Sequence, residues 1–156
     1  MHNQNNKIMG VVVIYQICYA SRSKSDANLL LQDLRDILSE ARDFNVRQQV
    51  NGVLCYADGH FFQCLEGDQA VVTNLLEKIK RDPRHAAVSI LFQQHVSTEV
   101  HFQDWSMKYI GRHSDIHQFF AQLGLAQFAP EKLEPETLKQ FLQLLYRIPE
   151  QSVEFD

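Results

Sequence analysis

The chain has 156 residues, 45% of them hydrophobic, with ten Phe, five Tyr and one Trp, enough to bury the core of one ordinary domain without disulfides or a structural metal. Its formal net charge is −4 and its Lys and Arg are scattered along the chain, which argues against a phosphate-tracking nucleic-acid surface. Cys18, Cys55 and Cys64 lack CxxC spacing and fall in predicted strands, so they read as reduced packing residues.

Residues 1–10 begin with the polar MHNQNNK and are expected to form a disordered extension; translation could even begin at Met9. The apolar run from Ile8 to Ile17 is too short to span a bilayer and no cleavage-site pattern accompanies it, so a cytoplasmic protein is expected. Val11 to Tyr19 is dense in β-branched residues and reads as a strand. Ser25 or Asp26 can then cap a helix whose Ala27, Leu30, Leu31, Leu34, Ile37, Leu38 and Ala41 form an apolar stripe. Val50 to Ala57 and His60 to Glu66 read as strands joined by Asp58-Gly59, a pair suited to the positive φ angles of a two-residue hairpin turn. Gly67-Asp68 can start a second helix with Val71, Val72, Leu75, Leu76 and Ile79 on its core face, and Pro83 stops the pattern. Ala87 to Val96 and Trp105 to Ile110 follow as strands, the second more weakly patterned.

The order βαββαββ predicts an α+β sandwich of ferredoxin-like topology, with both helices on one face of a mainly antiparallel sheet. Ile116 to Leu123 and Pro135 to Tyr146 are amphipathic and are expected to cover the other face. The chain thus divides into the extension over 1–10, a core over 11–111 and a C-terminal helical cap over 112–156.

By strand alternation Gln63 shares a face with Phe61 and Leu65. If that face is the core, its amide needs partners or costs about 1–3 kcal/mol. Tyr19, on the neighbouring central strand, can supply one. Such a pair serves either as a structural buried hydrogen bond or as part of a ligand site, and both readings stay open at this level. Asn45, placed after the first helix as a turn or capping residue, adds a third neutral polar group. Neutral amides and a phenol suit recognition of an amide-like ring edge better than hydrolysis, which needs a group titrating near working pH. His113 and His117 have helix-face spacing but no third ligand at a useful offset, so no metal site is expected.

In combination, ICYAS at Ile17 to Ser21, Asn45, VNGVLCYADGHFFQCLEG at Val50 to Gly67, RDPRH at Arg81 to His85 and WSM at Trp105 to Met107 resemble the BLUF family, the flavin-binding blue-light sensor module. The resemblance covers about Val13 to Gly111. It implies noncovalent FAD between the two helices, with Asn45 and Gln63 bonded to the flavin edge and Tyr19 bonded to Gln63. Tyr19 would be the light-driven electron and proton donor, leaving Gln63 rotated or tautomerised. Asp82, Arg84 and His85 would approach the flavin and its ribityl-phosphate part, although an ion-pair network at the helix end accounts for them equally. Lys78 stands where several members have Arg, and Phe44 where several have Asn or His. Ile37 and Ile79 would wall the ring. Trp105 and Met107, placed on one strand face with Ser106 opposite, would complete the photochemical switch.

The resemblance implies a photoreceptor with no catalytic output of its own, signalling through Trp105 to Gly111 and the terminal helices to a protein effector or a homo-oligomer. Direct contact with nucleic acid or membrane is not expected. The rivals are a ferredoxin-like acyl-phosphate hydrolase, for which SRSKS at Ser21 to Ser25 offers cations but no glycine cradle, and a flavin-free oligomerisation module of the same fold.

Overall fold

The computed structural model describes residues 7–8, 11–97 and 102–153. Of the extension expected over 1–10, all but Lys7–Ile8 lies outside the described residues; those two form β1, antiparallel to the start of β2 (Val11–Ser23). There follow α1 (Ala27–Gln48), β3 (Asn51–Ala57), β4 (His60–Gly67), α2 (Gln69–Arg81), β5 (His85–Ser97), β6 (Lys108–Ile110), α3 (Ser114–Gln122), a 3-10 turn at Pro130–Lys132 and α4 (Pro135–Arg147). The main sheet runs β5-β2-β4-β3-β6, antiparallel except for the parallel pair β3 and β6. This is the expected ferredoxin-like order with one strand added at its edge.

The hairpin between β3 and β4 forms where the sequence places it, because Asp58 (φ 52°) and Gly59 (φ 81°) both take positive φ. At Gly52 a Cβ would lie 2.1 Å from the Cys64 carbonyl oxygen, so β3 approaches β4 there as only glycine allows. Asp68 caps α2 by accepting from the amides of Ala70 and Val71. The start of α1 has no such side-chain bond at Asp26; the amide of Leu29 donates to the Asp26 carbonyl instead.

Alternation along the strands divides the apolar residues into two cores. Tyr15, Ile17, Tyr19, Leu54, Phe61 and Leu65 face Leu34, Ile37 and Leu38 of α1 and Val72 and Leu76 of α2. Cys18, Val53, Cys55, Phe62 and Cys64 face the opposite way, onto Ile116 and Phe120 of α3 and Leu138, Phe141 and Leu145 of α4. The three cysteines are free and buried. The C-terminal helices therefore cover the second face, as their amphipathic pattern requires. His113 begins α3, its Nδ1 accepting from the amide of Asp115 at 3.0 Å. Among the described residues no helix is long and apolar enough to cross a membrane.

Two elements differ from the sequence reading. The strand expected from Trp105 to Ile110 shrinks to Lys108–Ile110, because a turn at Phe102 to Trp105, closed by the Trp105 amide on the Phe102 carbonyl (3.0 Å), leads into an irregular stretch. Likewise α1 continues past Asn45 to Gln48, since Gln49 adopts the left-handed C-terminal conformation (φ 56°) without any glycine to announce it.

Phe141 is fully buried, with the rings of Phe62, Phe119 and Phe120 at 5.1, 5.5 and 5.4 Å. Phe141→Ala is expected to cost about 3–5 kcal/mol, read from the urea midpoint. A loss under about 1 kcal/mol would show that α4 does not seal the sheet.

Candidate functional site

The centre of the site is a matter of register. Tyr19 and Gln63 are direct partners across the antiparallel β2 and β4 and both point to the face beneath α1 and α2. The Tyr19 hydroxyl donates to Gln63 Oε1. Gln63 Nε2 donates to Met107 Sδ at 3.7 Å, a weak acceptor. Tyr19 is fully buried and Gln63 is 4% exposed. Burial pushes the Tyr19 phenol well above the ordinary tyrosine range, and the nearby Asp82 carboxylate acts in the same direction. Tyr19 is therefore a neutral hydrogen-bond donor at any physiological pH.

Asn45 enters from the last turn of α1, not from the loop after it, and is 1% exposed. Its Nδ2 donates to the Ser106 carbonyl at 2.6 Å, while its Oδ1 is buried without a partner. A buried amide oxygen left open normally costs about 1–3 kcal/mol, a cost that a hydrogen-bond donor in the cavity would remove. The irregular stretch is held at three successive carbonyls: Trp105 by Asn51 Nδ2 (3.1 Å), Ser106 by Asn45 and Met107 by Arg42 Nε (3.1 Å). Because side chains hold these carbonyls, with the Gly52 amide of β3 adding a long bond (3.3 Å) to the Trp105 carbonyl, strict alternation fails here. Met107 is buried beside Gln63, whereas Trp105 lies with Phe102 and Tyr146 on the face of the helical cap. The expectation that Trp105 and Met107 share one face is thereby corrected.

A cavity of about 310 Å³ opens between α1 and α2 above this centre. Tyr19, Asn45 and Gln63 form its polar floor, and Ile37, Ala41, Leu75 and Ile79 form apolar walls. At the mouth, Arg84 pairs with Asp82 (2.6 Å) and with Glu40 on α1 (2.8 Å). The guanidinium hydrogen bond holds the Asp82 carboxyl below its ordinary range, and the Asp82 bond raises Arg84 further. Lys78 reaches over the Phe44 ring, 5.2 Å from its centroid. His85 Nδ1 lies 2.9 Å from Ser21 Oγ, with its ring against Phe61 and Tyr19. Burial pushes His85 down from 6.5 to about 4, Arg84 adding to the effect and Asp82 opposing it.

Nine residues singled out from the sequence, Tyr19, Ile37, Asn45, Gln63, Lys78, Ile79, Asp82, Arg84 and His85, thus line one cavity. Met107 joins through Gln63 and Trp105 does not join. Sequence reasoning missed Ser21, Glu40, Arg42 and Asn51. Arg42 could have been found, since it precedes Asn45 by one helical turn and so points along the same flank of α1. Ser21 to Ser23 continue β2 instead of forming a loop, so they provide no phosphate cradle of the kind an acyl-phosphate hydrolase needs.

The model of the family described as sensors of blue-light using FAD matches residues 14–108. Among curated proteins, the photoactivated adenylate cyclase subunit beta of Euglena gracilis is 25% identical over 138 residues, covering 85% of this chain and 16% of that protein; the chain spans about a sixth of the length of the curated relatives it matches. Among solved structures, the ground state of BlsA superposes with a TM-score of 0.83 at 45% identity, covering 92% of this chain and 94% of BlsA. The photo-activated state of BlsA gives 0.82 at 46% identity, covering 89% and 99%. The residues present fit the flavin that the family uses. The open Asn45 Oδ1 asks for a ring N–H, the Gln63 amide has a second proton to give, and the apolar walls suit a planar ring.

The His85 environment predicts a pH dependence. Its imidazole is neutral in the folded protein down to about pH 4 but takes up a proton near pH 6.5 when unfolded. Its contribution is therefore complete above pH 6.5 and lost as pH falls from 6.5 towards 4, on the order of 3 kcal/mol at most. Urea midpoints between pH 7.5 and 4.5 should fall more steeply for the wild type than for His85→Asn, which cannot titrate. Parallel curves would show that the ring is not held neutral.

Proposed function

Since the chain belongs to the BLUF family of blue-light sensors using FAD, we propose that Tyr19, Gln63, Asn45 and Met107 form its light switch and that α1 and α2 hold the flavin between them. The observation that carries this reading is the open Asn45 Oδ1 on the floor of an apolar slot, next to a Gln63 already bonded on both sides by Tyr19 and Met107. Ile37 and Ile79 would flank the ring, Asn45 and Gln63 would bond its polar edge, and Lys78, Arg84 and His85 would face the ribityl-phosphate part. Bound there, FAD supplies blue-light absorption and an excited state able to accept an electron.

Tyr19 would give that electron, and its phenol proton has Gln63 Oε1 as its immediate acceptor. Burial keeps the phenol protonated beforehand, so electron and proton leave the same residue. A turned Gln63 amide would present oxygen where it had presented N–H. Met107 Sδ has no proton to give to that oxygen, so the Gln63 to Met107 contact is lost. Asn45 remains anchored to the Ser106 carbonyl, which ties the cofactor edge to the backbone beside Met107.

The output leaves through the stretch from Trp105 to Gly111. Lys108 is buried in β6 and donates to the carbonyls of Leu145 (2.9 Å) and Tyr146 (3.0 Å) near the C-terminus of α4, with its ammonium 4.2 Å from the Trp105 ring centroid. Movement of Met107 therefore reaches α4 through the next residue. A two-arrangement element of this kind, biased by light, can address a protein partner or a second copy. The cytoplasm is its proposed location.

Tyr19→Phe keeps the ring but removes the donor, so it should retain FAD and lose the reversible red shift of the flavin absorption band under blue light. Gln63→Ala should behave alike. A normal reversible shift in either variant, or a folded protein that takes up no FAD, refutes the proposed switch.

A further inference from the structure

The segment that follows α4 does not stay with the helical cap. It returns to the outer edge of β6, which no strand of the main sheet pairs among the described residues. The Gln151 amide donates to the Tyr109 carbonyl at 2.9 Å, and Gln151 Oε1 accepts from the Gly111 amide at 3.0 Å. Glu150 Oε2 accepts from Arg42 Nη2 on α1 at 3.0 Å. Val153 packs against the core beneath α1, and a cavity of about 390 Å³ remains between this segment and α1. These are contacts of the kind an extended peptide makes on a sheet edge: a main-chain bond and a side-chain amide for affinity, a carboxylate on a guanidinium and an aliphatic side chain for selectivity.

The ion pair of the segment is exposed. Arg42 and Glu150 are 40% and 41% exposed, a setting in which water screens an ion pair to little net value. Arg42 has a second role, because its Nε holds the Met107 carbonyl at 3.1 Å while Met107 Sδ receives the Gln63 amide. One guanidinium thus touches both the backbone of the switch segment and the returning segment, as a positioning residue between them.

We infer that the outer edge of β6 beside α1 is a docking site for an extended segment of a partner protein that carries an acidic residue followed three positions later by an aliphatic one, and that Glu150 to Val153 occupy this site until displaced. The spacing is that of Glu150 and Val153 themselves. Light control of the site rests on the switch proposed above; the site itself does not. Loss of the Gln63 contact shifts Met107, alters the hold of Arg42 on Glu150 and frees the edge.

The test uses the full chain with FAD and a peptide of sequence IPEQSV, the sequence of residues 148–153, carrying a red-absorbing dye and followed by fluorescence anisotropy. In darkness E150Q and Gln151→Pro, each of which loosens the resident segment, should bind the peptide at least fivefold more tightly than the wild type, and Arg42→Gln should bind it less tightly than E150Q. Equal affinity in wild type, E150Q and Gln151→Pro overturns the docking site. Concentration-dependent self-association of E150Q without peptide binding overturns the choice of a partner segment in favour of a second copy. Blue light should raise the affinity of the wild type at least fivefold. A normal red shift with unchanged affinity overturns the route through Met107 and Arg42, while the dark comparison still decides the docking site.

Discussion

The antiparallel register of β2 on β4 is the constraint on which the rest of the molecule depends. It sets Tyr19 opposite Gln63 and Cys18 opposite Cys64, one pair on each face. A slip of one residue would exchange those faces, placing Gln63 among the aromatic residues of the helical cap and the thiols beneath α1 and α2. Two features resist the slip. The Asp58-Gly59 turn fixes β4 against β3, and each face is buried under its own pair of helices, so either exchange would strand polar groups in an apolar core.

The same burial makes the polar floor sensitive. Tyr19, Gln63 and Asn45 sit where unmet hydrogen bonds are expensive, and each has a neighbour as partner: Tyr19 has Gln63, Gln63 a thioether, and the Asn45 Nδ2 the backbone of Ser106. A thioether is a poor acceptor, and Asn45 Oδ1 has none of its needs met. The floor is thus packed to a unique arrangement with a small margin over its alternatives, a condition under which one reoriented amide can have consequences elsewhere.

Those consequences have a physical channel because the stretch from Trp105 to Met107 is not a regular strand. Three side chains from α1 and β3 hold its carbonyls, so it reports on the position of α1 as well as on Gln63. From it, Lys108 ties β6 to the end of α4, and Arg42 ties the backbone at Met107 to Glu150. Around the cavity, charged groups gather at the mouth, where Arg84 links Asp82 to Glu40. The centre contains only neutral groups, His85 included.

Much of this was legible in the sequence because periodicity and turn chemistry are local. The strand pairs, the two-faced alternation that puts Gln63 with Phe61 and Leu65, the hairpin at Asp58-Gly59 and the amphipathic cap all follow from residue type and spacing, and the resemblance carried by Tyr19, Asn45, Gln63 and the Arg81 to His85 stretch collected nine residues that line one cavity. What the sequence could not determine is where local rules yield to long-range contacts. Asn45 lies inside α1 because Gln49, with no glycine to mark the end, takes the left-handed turn after it. Trp105 and Met107 part to opposite faces because Asn51, Asn45 and Arg42 bend the backbone between them. The return of Gln151 to β6 depends on an edge formed by residues far away in the chain. Alternation is a property of a strand, and only the tertiary structure decides where a strand stops.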